Sequence, residues 1–420
     1  MSGVTACGID FGTSNSTVSV TDKKGKRLVR LEDDKTTLPS AMFFQKGKAP
    51  VFGRAAIYAY TEWEEGRFMR GLKKILGTSL MEERTLIGNK SVTFREILKT
   101  FLIHLKESAE EHTGGAIDSV VLGRPVHFHD NDAQADRKSE SVLEEVAKDA
   151  GFKHTAFLFE PIAAAFAHEQ NINEEKLSLV VDLGGGTSDF TVIRLSKDKL
   201  DKKDRSDDIL STSGVRIGGT TFDARLSLQN FMPELGMGSH YLDIFDKEKR
   251  HPMPSGVYFQ LSDWALVNFA QTKKSIIETR DILTCTLAPQ KLNRLLKLQE
   301  NHLGHAFLGE VEKTKIALTD HTEYAARFDD LDFNLNLSRQ DFETSIAQDV
   351  DSINRAIGEC LARAQVKEEQ IGLVILTGGS TELPVINDMV KKRFPASSFS
   401  VGNKLDSVGL GLAYRADNIF

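Results

Sequence analysis

The same short pattern occurs twice in this chain, and that repeat constrains its fold more than any other feature. Residues 4–9 form an apolar, strand-like run that ends on Asp10 and enters the glycine turn Phe11-Gly12-Thr13-Ser14-Asn15; residues 16–21 then alternate like a second strand. Residues 177–181 begin the pattern again. They end on Asp182, pass through Leu183-Gly184-Gly185-Gly186-Thr187-Ser188-Asp189 and enter a strand over 190–195. Two distant copies of strand, aspartate, glycine turn and strand predict two similar lobes, each opening with a hairpin. Around them the periodicity predicts strands at 27–31, 119–122, 155–159 and 371–376. Helices are expected over 94–111, 132–150, 309–318 and 408–415, after Glu160-Pro161 and from Pro384; Gly151 is placed as a helix stop. Residues 224–310 read as helical with proline breaks, and the alternating charges of 196–208 as a solvated hairpin tip. Strands alternating with helices argue for an α/β architecture.

The 420 residues are ample for two or three domains, with 40% hydrophobic and 27% charged residues. A net charge of −7 argues against a basic nucleic-acid footprint. Cys7, Cys285 and Cys360 are far apart, which leaves no disulfide framework or zinc ribbon. No apolar run approaches a membrane span, and the first ten residues lack a leader pattern, so a cytoplasmic protein is expected.

Four glycine turns follow or adjoin apolar runs: Gly12-Thr13-Ser14, Gly184-Gly185-Gly186-Thr187, Gly218-Gly219 and Gly378-Gly379-Ser380. Glycine lets a backbone approach a ligand closely, and successive N–H groups in such turns form anion-binding nests. The hydroxyls of Thr13, Ser14 and Thr187 can add donors to phosphate oxygens. One such turn is ordinary hairpin chemistry; four, two of them preceded by aspartate, point to phosphate. A carboxylate beside a phosphate cradle needs a cation between them. Magnesium suits Asp10 and Asp182, because it takes oxygen ligands and keeps waters. The competing reading has each aspartate capping its own turn. No GxxxxGK[ST] stretch occurs, which excludes a Walker-type site.

Six segments, in order, resemble the ATPase domain of the DnaK heat-shock chaperones. They are Asp10-Phe11-Gly12-Thr13-Ser14, Phe159-Glu160-Pro161-Ile162-Ala163-Ala164-Ala165, Val181 to Asp189, Ile217-Gly218-Gly219-Thr220-Thr221-Phe222-Asp223, Glu312 to Thr319, and Leu376-Thr377-Gly378-Gly379-Ser380-Thr381. The resemblance runs from Ile9 to about Ala413 and is nearest to the short YegD-type relatives of DnaK. It implies the α/β fold shared with actin and hexokinase: two lobes around a nucleotide cleft, each with an inserted subdomain. Lobe one would take 1–172 with 401–420 returning to it and an insertion at about 36–112. Lobe two would take 173–400 with an insertion at about 224–310.

The resemblance also implies roles. Gly12, Thr13 and Ser14 would hold the β-phosphate of ATP or ADP, and Gly184, Gly185, Gly186 and Thr187 the γ-phosphate. Asp10 and Asp182 would bind magnesium through water, and Asp189 would stand near the attacking water and a monovalent cation, potassium being the candidate. Glu160 would orient water, and Lys73 would stabilise charge on the transferred phosphoryl, with Lys74 as its rival. Gly218, Gly219, Glu312, Lys315, Thr319, Gly378, Gly379 and Ser380 would contact the nucleoside.

Two departures stand out. Ile316 and Glu382 occupy positions where the family usually places the arginines that flank adenine. No β-rich peptide-binding domain is expected before Phe420. The expected function is therefore a slowly ATP-hydrolysing, magnesium-dependent, chaperone-related switch read by a protein partner or client, with no nucleic acid and no membrane. A small-molecule kinase of the same fold and a non-hydrolysing or actin-like module are the alternatives. His302 and His305 read as a solvated loop, His127 and His129 as alternating about a strand end, and Cys7 as a core residue.

Overall fold

The computed structural model describes residues 6–22, 25–61, 66–129, 132–169, 172, 174–199, 206–243, 245–401 and 407–420. The expected strand start at Val4 and the tip at 200–205 lie outside them. The chain divides into two compact units, Met1–Gly219 with Asp351–Phe420, and Thr220–Val350. The division expected between residues 172 and 173 falls inside the first unit.

The first unit is built on two sheets. One holds β1 (Ala6–Phe11), β2 (Asn15–Asp22), β3 (Gly25–Leu28), β4 (Ser119–Arg124) and β5 (His154–Phe159) in the order β5-β4-β1-β2-β3; the short strand Thr37–Pro39 also pairs with β2. The other holds β6 (Lys176–Leu183), β7 (Ser188–Leu195), β8 (Ile209–Val215), β9 (Leu373–Thr377) and β10 (Ser398–Val401) in the order β8-β7-β6-β9-β10. In each sheet three strands form an antiparallel meander, and two further strands add in parallel beside the first. The sequence repeat is thus a repeat of topology, with β1–β2 and β6–β7 as the matching hairpins.

Helices fill the crossovers, as parallel pairing requires. α1 (Phe94–Thr113) starts with a reciprocal cap between Thr93 and Glu96 and stops at Gly114 in left-handed conformation. α2 (Ala133–Asp149) is capped by Asp132, whose carboxylate accepts from the N–H groups of Gln134 and Ala135; Gly151 follows its end with φ +96°. α3 (Glu160–Glu169) carries the alanine run.

The second unit begins within α4 (Gly219–Leu226) and includes α5 (Gly304–Asp320). There the antiparallel ribbon Glu323–Phe328 with Phe333–Ser338 lies against a ring cluster of Phe231, Phe307, Phe328 and Phe333. α6 (Arg339–Ala364) then returns the chain to the first unit, which finishes with α7 (Pro384–Arg393) and α8 (Ser407–Ile419).

Four expectations change. α5 starts at Gly304 rather than at 309, and it takes in His305, which is buried; the histidine pair is not a shared solvated loop. The apolar positions Phe307, Leu308 and Val311 extend that helix toward its N-terminus. The third strand ends at Leu28. His127 and His129 both lie beyond the end of β4. The 224–310 region also carries a short two-stranded sheet, His240–Leu242 with Arg250–Pro252.

The core of the first unit joins both sheets through α3 and α8. Ile162, Ala163, Ala164 and Ala165 cluster with Val121 of one sheet, Val180, Ile193 and Ile375 of the other, and Val408, Leu412 and Ala416 of α8. The helices approach at Gly411: a Cβ there would sit 2.7 Å from the Cα of Ala163 and nearer still to its carbonyl carbon and oxygen. Only glycine fits, because the obstacle is backbone. We expect Gly411→Ala to cost about 1–3 kcal/mol. Thermal unfolding at an unchanged midpoint would contradict this packing.

Candidate functional site

In both hairpins of the repeat the first strand ends one residue past its aspartate, and the glycines that follow are forced by crowding. A Cβ on Gly186 would lie 2.6 Å from the Thr13 hydroxyl, and one on Gly185 would lie 3.1 Å from the Ser14 Cβ. A Cβ on Gly218 would meet the Gly184 carbonyl at 2.7 Å and the Gly186 nitrogen at 2.8 Å. Gly378 has φ +79°, and a Cβ there would meet Asp182 Oδ1 at 2.8 Å. All four glycine turns therefore converge in the first unit. Hydrogen bonds fasten them. The Gly184 N–H donates to the Thr187 carbonyl at 2.9 Å, and the Gly184 carbonyl accepts from Gly219 N–H at 3.0 Å and Ser380 Oγ at 3.3 Å. Ser40 donates from its hydroxyl to the Gly12 carbonyl at 2.7 Å and from its N–H to the Ser14 carbonyl at 2.9 Å. Gly379 has open space where a side chain would stand.

Beside these turns one ammonium stands among four carboxylates. Lys73 lies on the short turn Leu72–Ile75 and donates from Nζ to Glu160 Oε1 at 2.5 Å. Each of the two is 8% exposed. Lys73, not Lys74, makes this pair. Glu160 opens α3 directly after β5, and Asp182 and Asp189 face each other across the β6–β7 register. Asp189 is 1% exposed and accepts from the Val126 N–H at 2.6 Å. Gly123 brings β4 against both Glu160 and Asp10, whose Cγ and Oδ1 lie 3.4 and 3.5 Å from the position of its missing Cβ.

The electrostatics follow from burial. Loss of water and the charge of Glu160 push the Asp10 carboxyl up to about 7, against the pull of Lys73. Asp189 is also pushed up to about 7, by burial and then by Glu160, against its hydrogen bonds from Val126 and Thr187. Asp182 is driven well above the carboxylate range by burial, Glu160, Asp189 and Asp10. The Lys73 ammonium loses water too, but Glu160 and Asp10 outweigh that loss and hold its proton more tightly than usual.

This donor set fits a hard dication with a phosphate chain: carboxylate oxygens, hydroxyls and glycine backbone, with more negative charge than Lys73 alone balances. Among the described residues no three acidic, histidine or cysteine side chains gather around one point closely enough to cage an ion. The set suits an ion that keeps several waters and is held by one or two carboxylates. Asp10 and Asp182 are the residues that would hold it.

The structure brings together Gly12, Thr13, Ser14, Lys73, Glu160, Asp182, Gly184, Gly185, Gly186, Thr187, Asp189, Gly218, Gly219, Gly378 and Ser380, with Asp10 among them. Glu312, Lys315 and Thr319 lie in the second unit, half-buried on one face of α5, where Lys315 pairs with the buried Asp223 at 2.7 Å. Ser40, Gly123 and Val126 escaped the sequence reading. The Gly123-Arg124-Pro125 break after an apolar strand was the one available signal.

The raised carboxyls have a measurable sign. The folded chain keeps these protons where the unfolded chain, at 3.8, has released them. Their stabilisation is therefore complete below about pH 4 and is lost as pH rises through about 7. Asp189→Asn retains the acceptor for Val126 and removes the charge. We expect its midpoint at pH 8 to exceed the wild type by about 3 °C or more, the gap narrowing as pH falls below 7 and closing only below about pH 4. Equal midpoints at pH 8 would refute the buried-charge account.

A family model described as Hsp70 protein matches residues 81–250 and 267–418. The chaperone protein DnaK of Mycoplasmopsis synoviae (strain 53) is 26% identical over 417 residues, an alignment that takes in 97% of this chain and 57% of that protein. The chain thus spans a little over half the length of this curated relative.

Proposed function

We propose, from the premise that the chain belongs to the Hsp70 protein family, that it binds and slowly hydrolyses ATP with magnesium and acts as a nucleotide-dependent, chaperone-related switch. Its fold is the α/β ATPase fold that this family shares with actin and hexokinase. The observation that carries the proposal is the convergence of four glycine turns on a buried cluster of four carboxylates and one lysine.

The roles follow from chemistry. The backbone N–H groups of Gly12–Ser14 and Gly184–Thr187, with the hydroxyls of Thr13, Ser14 and Thr187, are suited to bind phosphate oxygens. Asp10 and Asp182 would hold a magnesium ion, which supplies charge neutralisation to the phosphates when bound. Lys73, fixed by Glu160, presents a permanent positive charge where the transferred phosphoryl would develop negative charge. Glu160 and Asp189 are placed to orient water and accept its proton. Positioning and electrostatics supply most of such a reaction. Gly218, Gly219, Gly378, Gly379 and Ser380 are proposed on the nucleoside side, with Glu312, Lys315 and Thr319 as further contacts, and potassium as a candidate near Asp189.

We further propose a YegD-like member of the family with a protein partner or client, and the two-lobed division at residues 172 and 173. Free Cys7, Cys285 and Cys360 are in keeping with a cytoplasmic site of action. No helix among the described residues is long and apolar enough to cross a membrane.

Asp182→Asn, which leaves the fold intact, and Lys73→Ala, which also lowers its stability, should each slow single-turnover hydrolysis of magnesium ATP by about 10²-fold or more in the folded protein. Unchanged turnover in either variant would remove the reading, and phosphate transfer to an added small-molecule pool would favour the kinase alternative. Ile316 is exposed, so arginine is tolerated there. Ile316→Arg should tighten ATP binding about fivefold in calorimetry if it restores base stacking; no gain would refute a lost adenine clamp.

A further inference from the structure

The segment that carries Lys73 is fastened by three side chains outside the site described above, those of His129, Ser139 and Arg216. Its short turn is entered through Gly71 at φ +76° and left through Gly77 at φ +75°. Three amides hold it together: Lys74 N–H to Gly71, Leu76 N–H to Lys73 and Thr78 N–H to Ile75, at 3.1, 3.3 and 3.1 Å. Beyond these, the Leu76 carbonyl accepts from His129 Nε2 at 2.8 Å and from Ser139 Oγ at 3.1 Å. The Lys74 carbonyl accepts from Arg216 Nη2 at 3.4 Å, and the same guanidinium donates from Nη1 to His129 Nδ1 at 3.0 Å. The partners fix the imidazole. A carbonyl only accepts, so Nε2 carries the proton; a guanidinium only donates, so Nδ1 must offer its lone pair. With Nε2 donating and Nδ1 accepting, His129 bridges a backbone carbonyl to an arginine.

The bridge spans three parts of the first unit. His129 lies in the segment after β4, the same segment whose Val126 N–H holds Asp189. Arg216 directly follows β8 and stands two residues before Gly218, which packs on Gly184, Gly185 and Gly186. Gly77 leaves no slack, since a Cβ there would lie 2.8 Å from the Ala135 carbonyl and 3.1 Å from His129 Nε2.

We propose that His129 and Arg216 are positioning residues, a strut that sets the Lys73 ammonium against the Gly184–Thr187 turn. This rests on the hydrolysis reading above. Both side chains grip the backbone on either side of Ile75 and leave the Lys73–Glu160 pair and the glycine turns untouched. Their loss should therefore misplace the ammonium and spare nucleotide binding.

The test uses the full chain and the variants His129→Ala, Arg216→Ala and His129→Gln. Glutamine can donate an N–H to Leu76 and accept from the guanidinium. Magnesium ATP turnover is measured alongside hydrogen exchange of the Lys74, Leu76 and Thr78 amides without ligand, and exchange in α1 reports whether each variant folds. We expect both alanine variants to lose about 10- to 100-fold in kcat with KM within about twofold of wild type. Their three amides should exchange about fivefold faster, the worth of one net hydrogen bond. His129→Gln should restore most of both, and it keeps the strut testable where an alanine variant unfolds. Wild-type exchange in the alanine variants overturns the strut. So does faster exchange with unchanged kcat, a rise in KM matching the fall in kcat, or glutamine behaving as alanine. If the wild type hydrolyses nothing, the hydrolysis reading falls by itself. Exchange then decides the strut, with quickening rescued by glutamine supporting it and unchanged exchange overturning it.

Discussion

Burial of like charge around Lys73 is the constraint to which the rest of the first unit answers. Asp10, Glu160, Asp182 and Asp189 have all lost water, and one ammonium cannot neutralise four carboxylates. The protein tolerates this by holding protons on Asp10 and Asp189 to about pH 7 and by spending a backbone N–H on Asp189. Removing Lys73 would leave the buried carboxylates without their counter-charge, which typically costs ~3–5 kcal/mol. Such a cluster is a poor structural element and a good receptor for a cation. The same charges that destabilise the fold would be satisfied by a dication with its phosphates, so that binding and stability are coupled.

The glycine turns solve a separate problem, that of bringing four stretches of backbone to one place. Side chains at Gly185, Gly186, Gly218 or Gly378 would strike Ser14, Thr13, the Gly184–Gly186 backbone or Asp182. What converges is N–H and C=O rather than side chain. Each turn is anchored from behind, by Ser40 under Gly12 and by Ser380 and Gly219 at Gly184. A phosphate chain would thus meet a framework already ordered, with little left to immobilise.

The hairpins β1–β2 and β6–β7 and their parallel neighbours β4, β5 and β9 were readable in the sequence as apolar runs, the first strand of each hairpin meeting the same Asp-x-Gly signal, whereas the serine-rich β8 and β10 and the short strand Thr37–Pro39 were not expected. The four turns stood out for the same local reason. What was missed depends on contacts distant in sequence or on elements too short to show a period. The small sheet of Ala41–Phe44, Val51–Phe52 and Arg67–Arg70 has strands of two to four residues. The ribbon 323–338 turns through Asp332 at φ +54° instead of a glycine, so its turn carried no flag. His305 looked solvated because its burial comes from the second unit's packing, not from its neighbours in the chain. Ser40 and His129 bond backbone carbonyls of remote segments, and Val126 gives its own N–H to the remote Asp189 carboxylate, contacts that sequence neighbours do not signal. Lys73 and Lys74 were indistinguishable as letters; only the turn between Gly71 and Gly77 decides which one meets Glu160.

The position of α8 has a consequence for biosynthesis. This helix lies against α3 and both sheets, and its Gly411 rests on the Ala163 backbone. A ribosome makes residues 220–350, a unit with its own aromatic cluster, well before it makes 407–419. During translation the second unit can consolidate while the earlier-made sheets still expose the apolar surfaces that α8 will cover. The nascent polypeptide would therefore spend its most vulnerable interval with the charge cluster half-assembled, because sheets made before the second unit wait for a helix made after it.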